Sequence, residues 1–267
     1  MTPDAPKTPP GMDVIWPSPA RTYDYFLGGR DNYAVDRQTA DSILRMAPEI
    51  RDLALQNRAF LRRCVTHLTR DLGIDQFLDI GSGLPTADNV HEIALRSDPA
   101  ARVVYVDSDP VVHLHSRALL KGAGSTGFLL ADAREPETIL TAPETRRLID
   151  FGRPTAVLLV GVLDFIPDDD DPAAIVTAIA GHLPTGSHFV IVHATSDDAP
   201  PQLVERVTAL YRGAAAQPHP RTRTAVQALF TGLDLLEPGL VDVQDWRPEK
   251  KVPIGTWRAL AGVARIS

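Results

Sequence analysis

From Gln76 onward the chain alternates two kinds of segment. Short runs of β-branched and apolar residues, QFLDI, RVVYVD, GFLLAD, TAVLLVG and HFVIVHA, are separated by TADNVHEIALR, PVVHLHSRALL, PETILTAPETRRLI and PAAIVTAIAGHL, whose apolar residues recur at helical spacing. This alternation leaves few folds open, because such strands pair in parallel through crossover helices. Right-handed crossovers bring every strand's C-terminal end to one edge of the sheet, where a ligand is expected. The tail breaks the rhythm. PQLVERVTALYRGAAA and TRTAVQALFTGL read as helices, then LDLLEPGLVDVQDW and TWRALAGVARI as two strands joined by a polar, Pro-containing loop. No helix follows the last strand, so it is expected to enter the sheet as an antiparallel hairpin partner. The expectation is an α/β fold with a mostly parallel seven-stranded sheet.

Upstream, EIRDLALQNRAFLRRCVTHLTRDLG is an amphipathic helix with Gly73 just beyond it as a stop signal. The region before it is less regular and richer in aromatics, as a lid over the sheet edge would be. The organisation expected is a disordered Pro-rich leader over 1–16, a helical lid segment over 17–72 and the ligand-binding domain over 73–267.

Composition removes several function classes. A formal charge of −7 is unsuited to a duplex-wrapping surface, so no nucleic-acid partner is expected. Cys64 is the single cysteine, which excludes an internal disulfide, a thiolate zinc cluster and an iron–sulfur centre held by this chain alone. The start, MTPDAPKTPPGM, has neither a secretory nor a transit pattern, and no apolar stretch approaches the ~20 residues of a membrane span. A cytoplasmic protein without a membrane partner is expected, and metal dependence is not.

FLDIGSGLPT is the first motif with chemistry in it. A strand ending in Asp79 turns through Gly81 and Gly83, which let the backbone bend and let a ligand approach main-chain N–H groups. Glycine there can also serve packing alone. RVVYVDSDP puts Asp107 at the end of the next strand, close to the ~20-residue offset at which an acidic residue meets ribose hydroxyls. The competing role, capping the helix at Pro110, suits Asp109 better. FLLADAREP ends a third strand with Asp132, whose carboxylate can accept from an adenine amino group while the Ala133 N–H donates to a ring nitrogen; a helix cap before Pro136 is an equal alternative. Ser108, beside Asp107, and Gly161, ending TAVLLVG, complete the candidate set at this edge.

A dinucleotide loop would carry a third glycine where this chain continues Leu84-Pro85-Thr86. Pro85 removes a donor and stiffens the approach to a pyrophosphate. A ligand without a pyrophosphate loses little, and S-adenosylmethionine is one, with Asp79 near the positive end of its methionine moiety. No tyrosine is followed four residues later by lysine, which weakens a short-chain nicotinamide reductase.

PSPARTYDYFLGGRDNYAVDR, FLDIGSGLPTADNVHEIA, RVVYVDSDPVV, LLVGVLDFIPDDDDP, VIVHAT and LAGVARI together resemble successive blocks of an actinobacterial S-adenosyl methyltransferase family first catalogued as a domain of unknown function. The resemblance runs from about Pro17 to the C-terminus. It implies a Rossmann-like class I methyltransferase fold that binds S-adenosylmethionine, and it does not name an acceptor. One departure is Asp164 in GVLDFIP, where that family often carries His.

Methyl transfer from a sulfonium is an in-line displacement, and a base is needed only if the acceptor is protonated. His193, ending VIVHAT, is a candidate base, with a backbone-bonded buried histidine as the commoner alternative. Asp164 could orient an amine or hydroxyl. Asp168 to Asp171 read as a solvated helix start. In RTYDYFLGGRDNY, Tyr23, Tyr25 and Phe26 offer an aromatic face to a sulfonium, with Tyr23 a further catalytic candidate, and Arg30, Asp31 and Asn32 offer polar contacts to the methionine end. Ordinary packing with Gly28-Gly29 as a helix cap is the alternative. The leading expectation is a methyltransferase acting on a small-molecule acceptor, with a non-catalytic S-adenosylmethionine-binding regulatory module as the alternative.

Overall fold

The computed structural model describes residues 14–86, 88–119, 124–214, 216–253 and 255–267. Five parallel strands form its centre. β1 (Gln76–Ile80) lies between β2 (Arg102–Asp107) and β4 (Ala156–Val160), β3 (Thr126–Leu130) flanks β2, and β5 (His188–Thr195) flanks β4. Winding therefore reverses between β1 and β4, which opens a crevice above their C-terminal ends.

The arm before the last strand is shorter than the sequence suggests. Within that arm only β6 (Asp234–Leu235) and β7 (Val241–Asp242) pair with β8 (Arg258–Arg265), because Pro238 has no N–H for a ladder and Gly239 turns at φ +85°. The sheet thus has eight strands, the first hairpin arm being split. β8 itself pairs antiparallel with all of β5, from His188 opposite Arg265 to Thr195 opposite Arg258.

Ten helices are described: α1 (Pro19–Phe26), α2 (Ala34–Met46), α3 (Ile50–Arg70), α4 (Val90–Ser97), α5 (Pro110–Leu119), α6 (Pro136–Thr141), α7 (Pro143–Leu148), α8 (Pro172–Ala180), α9 (Pro201–Ala209) and α10 (Arg223–Ala228). PETILTAPETRRLI reads as one helix but forms two, since Pro143 opens a helix and cannot continue one.

Alternation along the strands sorts the core into two layers. Leu78, Ile80, Val104 and Val106 face Leu140, Ile175 and Val226 of the α6, α8 and α10 side. Phe77, Val103 and Tyr105 face Phe60, Cys64 and Leu68 of α3 and Ile93 of α4. By the same alternation Asp79 shares the face of Phe77, under α3. The first turns of α3 do something else: Ile50 and Ala54 join Phe26, Ala40, Ile43, Val207, Tyr211 and Trp257 in a separate cluster. The segment over 17–72 therefore divides within α3, its first turns packing in that separate cluster and its later turns in the core under the sheet.

Of the leader, residues 1–13 lie outside the described residues. Trp16 is held in place, with its carbonyl accepting from Arg21 Nη2 at 2.8 Å and its ring over Gly213, where a Cβ would stand 2.7 Å from it. No helix among the described residues is long and apolar enough to cross a membrane.

Candidate functional site

Glycines with left-handed backbones mark the tips of both central strands: Gly81 at φ +74°, Gly83 at +65° and Gly161 at +75°. The two tips touch, since a Cβ on Gly81 would stand 2.4 Å from Val162 Cβ. Gly81→Ala is therefore expected to cost about 1–3 kcal/mol of stability, from strain and overlap together. Urea unfolding of the variant at the wild-type midpoint would contradict this.

Asp79 comes just before this loop, on the face of β1 that lies under α3. It is 7% exposed, and no described donor reaches its carboxyl. Burial pushes its pKa up to about 7, with Asp107 adding to the rise and Arg58 opposing it. Two other buried polar atoms have no partner among the described residues, Ser82 Oγ in the glycine loop and Asn57 Oδ1 on α3. Arg58, next to Asn57, donates to the Asp88 carbonyl at 2.7 Å and acts electrostatically on Asp79, Tyr23 and Tyr105. Sequence reasoning missed Asn57 and Arg58, because polar residues on an amphipathic helix read as its solvated face.

Asp107 organises the loop from β2. Its Oδ2 accepts from Gly83 N at 2.8 Å and its Oδ1 from Asp109 N at 2.9 Å. Burial lifts its pKa to about 6 against those hydrogen bonds. Asp109 Oδ1 accepts from Val111 N at 2.8 Å, which leaves Asp107 out of the helix cap. Ser108, between them, is exposed. Asp109 also ties α1 to the sheet edge: its Oδ2 accepts from Ser18 Oγ at 2.6 Å and from Arg21 Nη1 at 3.4 Å.

At the tip of β3, Asp132 is engaged locally and does not cap α6, whose N-cap position is Glu135 with no side-chain cap bond. Its Oδ1 accepts from Arg134 N at 2.9 Å as a local turn, and the Arg134 guanidinium holds the carboxyl below the usual range. Arg134 also reaches Asp170 at 3.1 Å, tying the β3 tip to the acidic run after β4. Ala133 is buried, and its N–H finds no acceptor among the described residues.

The residues of the N-terminal segment divide. Tyr23 Oη donates to the Ala54 carbonyl at 3.1 Å and accepts from Asn57 Nδ2 at 3.2 Å, so the ring stands beside the Asn57–Arg58 pair, its phenol pKa raised by burial. Asn32 is spent within its own turn: its amide donates to Asp24 Oδ2 at 2.7 Å and to the Gly29 carbonyl at 3.1 Å, and its Oδ1 accepts from Arg37. A Cβ on Gly29 would overlap Asp24 Oδ1 at 1.9 Å, so the second glycine serves this turn. Arg30 is exposed.

The third group sits after β4. Asp164, 7% exposed, accepts at Oδ1 from Ala194 N at 2.6 Å and from His193 Nδ1 at 2.8 Å. His193 is fully buried, and its Nε2 lies 2.7 Å from Arg221 Nη1. A guanidinium only donates, so Nε2 accepts and Nδ1 carries the proton. Burial pushes the imidazole pKa down, but the Asp164 charge and hydrogen bond with the Ala194 carbonyl outweigh it and raise the pKa overall, against Arg221. Protonation at Nε2 would nevertheless set two donors against each other, so the ring is neutral while the Arg221 contact stands. Arg221 also bonds the Leu163 and Ile166 carbonyls at 2.8 and 2.7 Å and Asp168 Oδ1 twice. Asp168 is thereby engaged, and Asp171 caps α8 by accepting from Ala174 N at 3.0 Å.

Comparison with known proteins agrees with this geometry. A family model described as S-adenosyl methyltransferase matches residues 6–267. A crystal structure from Thermobifida fusca YX, provisionally designated a methyltransferase, is 39% identical, with a TM-score of 0.90 over 97% of this chain and 98% of that one. A DUF574 family protein from Streptomyces avermitilis MA-4680 is 38% identical, with a TM-score of 0.89 over 94% and 98%. An O-methyltransferase family protein from Burkholderia thailandensis, 16% identical with a TM-score of 0.50 over 84% of this chain and 62% of that one, shares the fold. No curated protein matches the sequence. With nearly its whole length covered, the chain belongs to the S-adenosyl methyltransferase family and is a methyltransferase that uses S-adenosylmethionine.

Proposed function

We propose that the crevice above β1 and β4 transfers a methyl group to a small-molecule acceptor by in-line displacement, with the lid closed over it. The observation that carries this reading is Asp79, a buried carboxyl that no described donor reaches, beside a loop built to admit a ligand. A cationic ammonium is the partner such a group lacks, and the methionine end provides one. In this reading the cofactor supplies a methyl group made electrophilic by a sulfonium. Asn57 Oδ1 and Ser82 Oγ accept and donate beside Asp79, and Arg58 and Tyr23 border the carboxylate end. Asp107 accepts from the ribose hydroxyls with its remaining lone pairs, while Gly83, Ser108 and Gly161 keep the walls open. Asp132 and the Ala133 N–H meet the adenine edge. Arg30 and Asn32 act through the lid turn rather than by contact. Cys64 lies buried away from the crevice, its thiol pushed up by burial, and the reading keeps the protein in the cytoplasm.

Asp107→Ala tests the ribose assignment. We expect S-adenosylmethionine to bind at least a hundredfold more weakly and stability to fall by about 1–2 kcal/mol, since Gly83 and Asp109 lose their acceptor. Unchanged affinity by calorimetry would sink the assignment. The reading as a whole is tested by titrating S-adenosylmethionine, S-adenosylhomocysteine and NAD side by side, where binding of NAD alone would overturn it.

A further inference from the structure

We infer that the acceptor is an amine, held through an N–H by Asp164 Oδ2; this rests on the reading of the crevice given above. The two oxygens of Asp164 are in different situations. Oδ1 is saturated by the Ala194 N–H and His193 Nδ1. Oδ2 receives no donor among the described residues and faces Gly161, whose absent side chain would place a Cβ 3.6 Å from it. Gly161 and Val162 form the tip of β4 that abuts Gly81, so this free oxygen opens onto the crevice beside the glycine loop. Phe165, half-buried next to it, faces Tyr211 of the lid cluster with ring centroids 6.3 Å apart, giving the same wall an aromatic surface on which a cation is favoured.

The charge of the site selects between acceptors. A carboxylate oxygen beside an aromatic face favours a group that gains positive charge as it is methylated, and an amine does so whereas a deprotonated hydroxyl ends neutral. His193 offers no further base: Nδ1 is committed to Asp164 and the Ala194 carbonyl, and Nε2 to Arg221. The amine attacks as the free base, an ammonium having first given its proton to water. Its nitrogen lone pair forms the bond to the transferred methyl carbon, and the electron pair of the breaking carbon–sulfur bond stays on sulfur. The nitrogen becomes positive and afterwards loses its N–H proton to water. Asp164 Oδ2 accepts that N–H throughout, which aims the lone pair and stabilises the charge that develops.

The test uses the full chain with S-adenosylmethionine and the probes benzylamine, N-methylbenzylamine, tyramine, benzyl alcohol and 4-methylphenol, reading S-adenosylhomocysteine release and the methylated atom by mass spectrometry. We expect methylation of the amines, N-methylation of tyramine, and none of the hydroxyl probes. Asp164→Asn should raise the amine KM at least tenfold and lower kcat, while cofactor affinity stays within about threefold, which also reports that the variant folds. O-methylation, amine turnover unaffected by Asp164→Asn, or no saturable use of any amine at millimolar concentration would each overturn the inference. If the cofactor itself failed to bind, the reading of the crevice would fall first, so the two failures are distinct.

Discussion

Asp79→Asn is expected to stabilise the free protein at pH 8 and to abolish cofactor binding. In the fold the carboxyl titrates near 7 because burial disfavours its charge, whereas in an unfolded chain it titrates near 3.9. Between those values the native state holds a proton that the unfolded state has released, so stability falls as pH rises from about 4 to about 7 and the whole cost is present above that. Asparagine removes it, a gain of the order of 2–4 kcal/mol at pH 8 that vanishes below pH 4. Urea unfolding at the two pH values measures the difference, and a variant less stable than wild type at pH 8 would refute the argument. Cofactor binding has the opposite demand, since an ammonium wants the ionised form. Affinity in the wild type is expected to weaken about tenfold per pH unit below 7, and more steeply below 6 as Asp107, whose pKa is also lifted by burial, begins to protonate. Calorimetry in buffers of different ionisation enthalpy should show proton release on binding at pH 6. A site thus keeps a residue that the fold would be more stable without, as ligand-binding carboxylates do.

The strand tips were legible from sequence because chain order alone puts them there. Asp79, Gly81, Gly83, Asp107 and Asp132 each end or follow a strand, and parallel strands joined by right-handed crossovers must align those ends. Contributions from outside that frame were not legible. Arg58 acts on Asp79, with Asn57 beside it, because α3 lies on the face that Asp79 shares, a tertiary choice that helical periodicity does not specify. The N-terminal segment is less legible: Asn32 offers polar contacts in the sequence, whereas in the fold its amide donates to the buried Asp24 carboxyl, against which Gly29 also packs. The hairpin arm was read as one strand although Pro238 and Gly239 divide it, a local signal that strand-like flanks outweighed in the reading. His193 lay at the right edge, but whether a histidine is a base depends on what its second nitrogen meets, and that is Arg221, one of two arginines in HPRTRTAV.

Arg221→Met is expected to cost about 3–5 kcal/mol, the range for breaking a buried charge network by removing one partner. Arg221 is 8% exposed, and its side chain serves two carbonyls, a histidine and a carboxylate. Those partners span Leu163 to Asp168, the whole turn that carries Asp164, so losing the guanidinium leaves that turn without its anchor. Arg221→Lys should rescue little, since one ammonium cannot make the planar fork of contacts that fixes four groups. The histidine gives a readout that mere destabilisation would not. Without Arg221, Nε2 is free to take a proton, and Asp164 beside Nδ1 raises the pKa against the effect of burial. In the variant His193 should therefore titrate in nitrogen-detected NMR, and its pairing with Asp164 should contribute stability that is full below about pH 6.5 and lost as pH rises through the raised value. In the wild type the ring should stay as the Nδ1–H tautomer across the same range. A wild-type His193 that gains a proton at Nε2 near neutral pH would mean that the Arg221 contact opens in solution, and the turn carrying Asp164 would then be free to move with it.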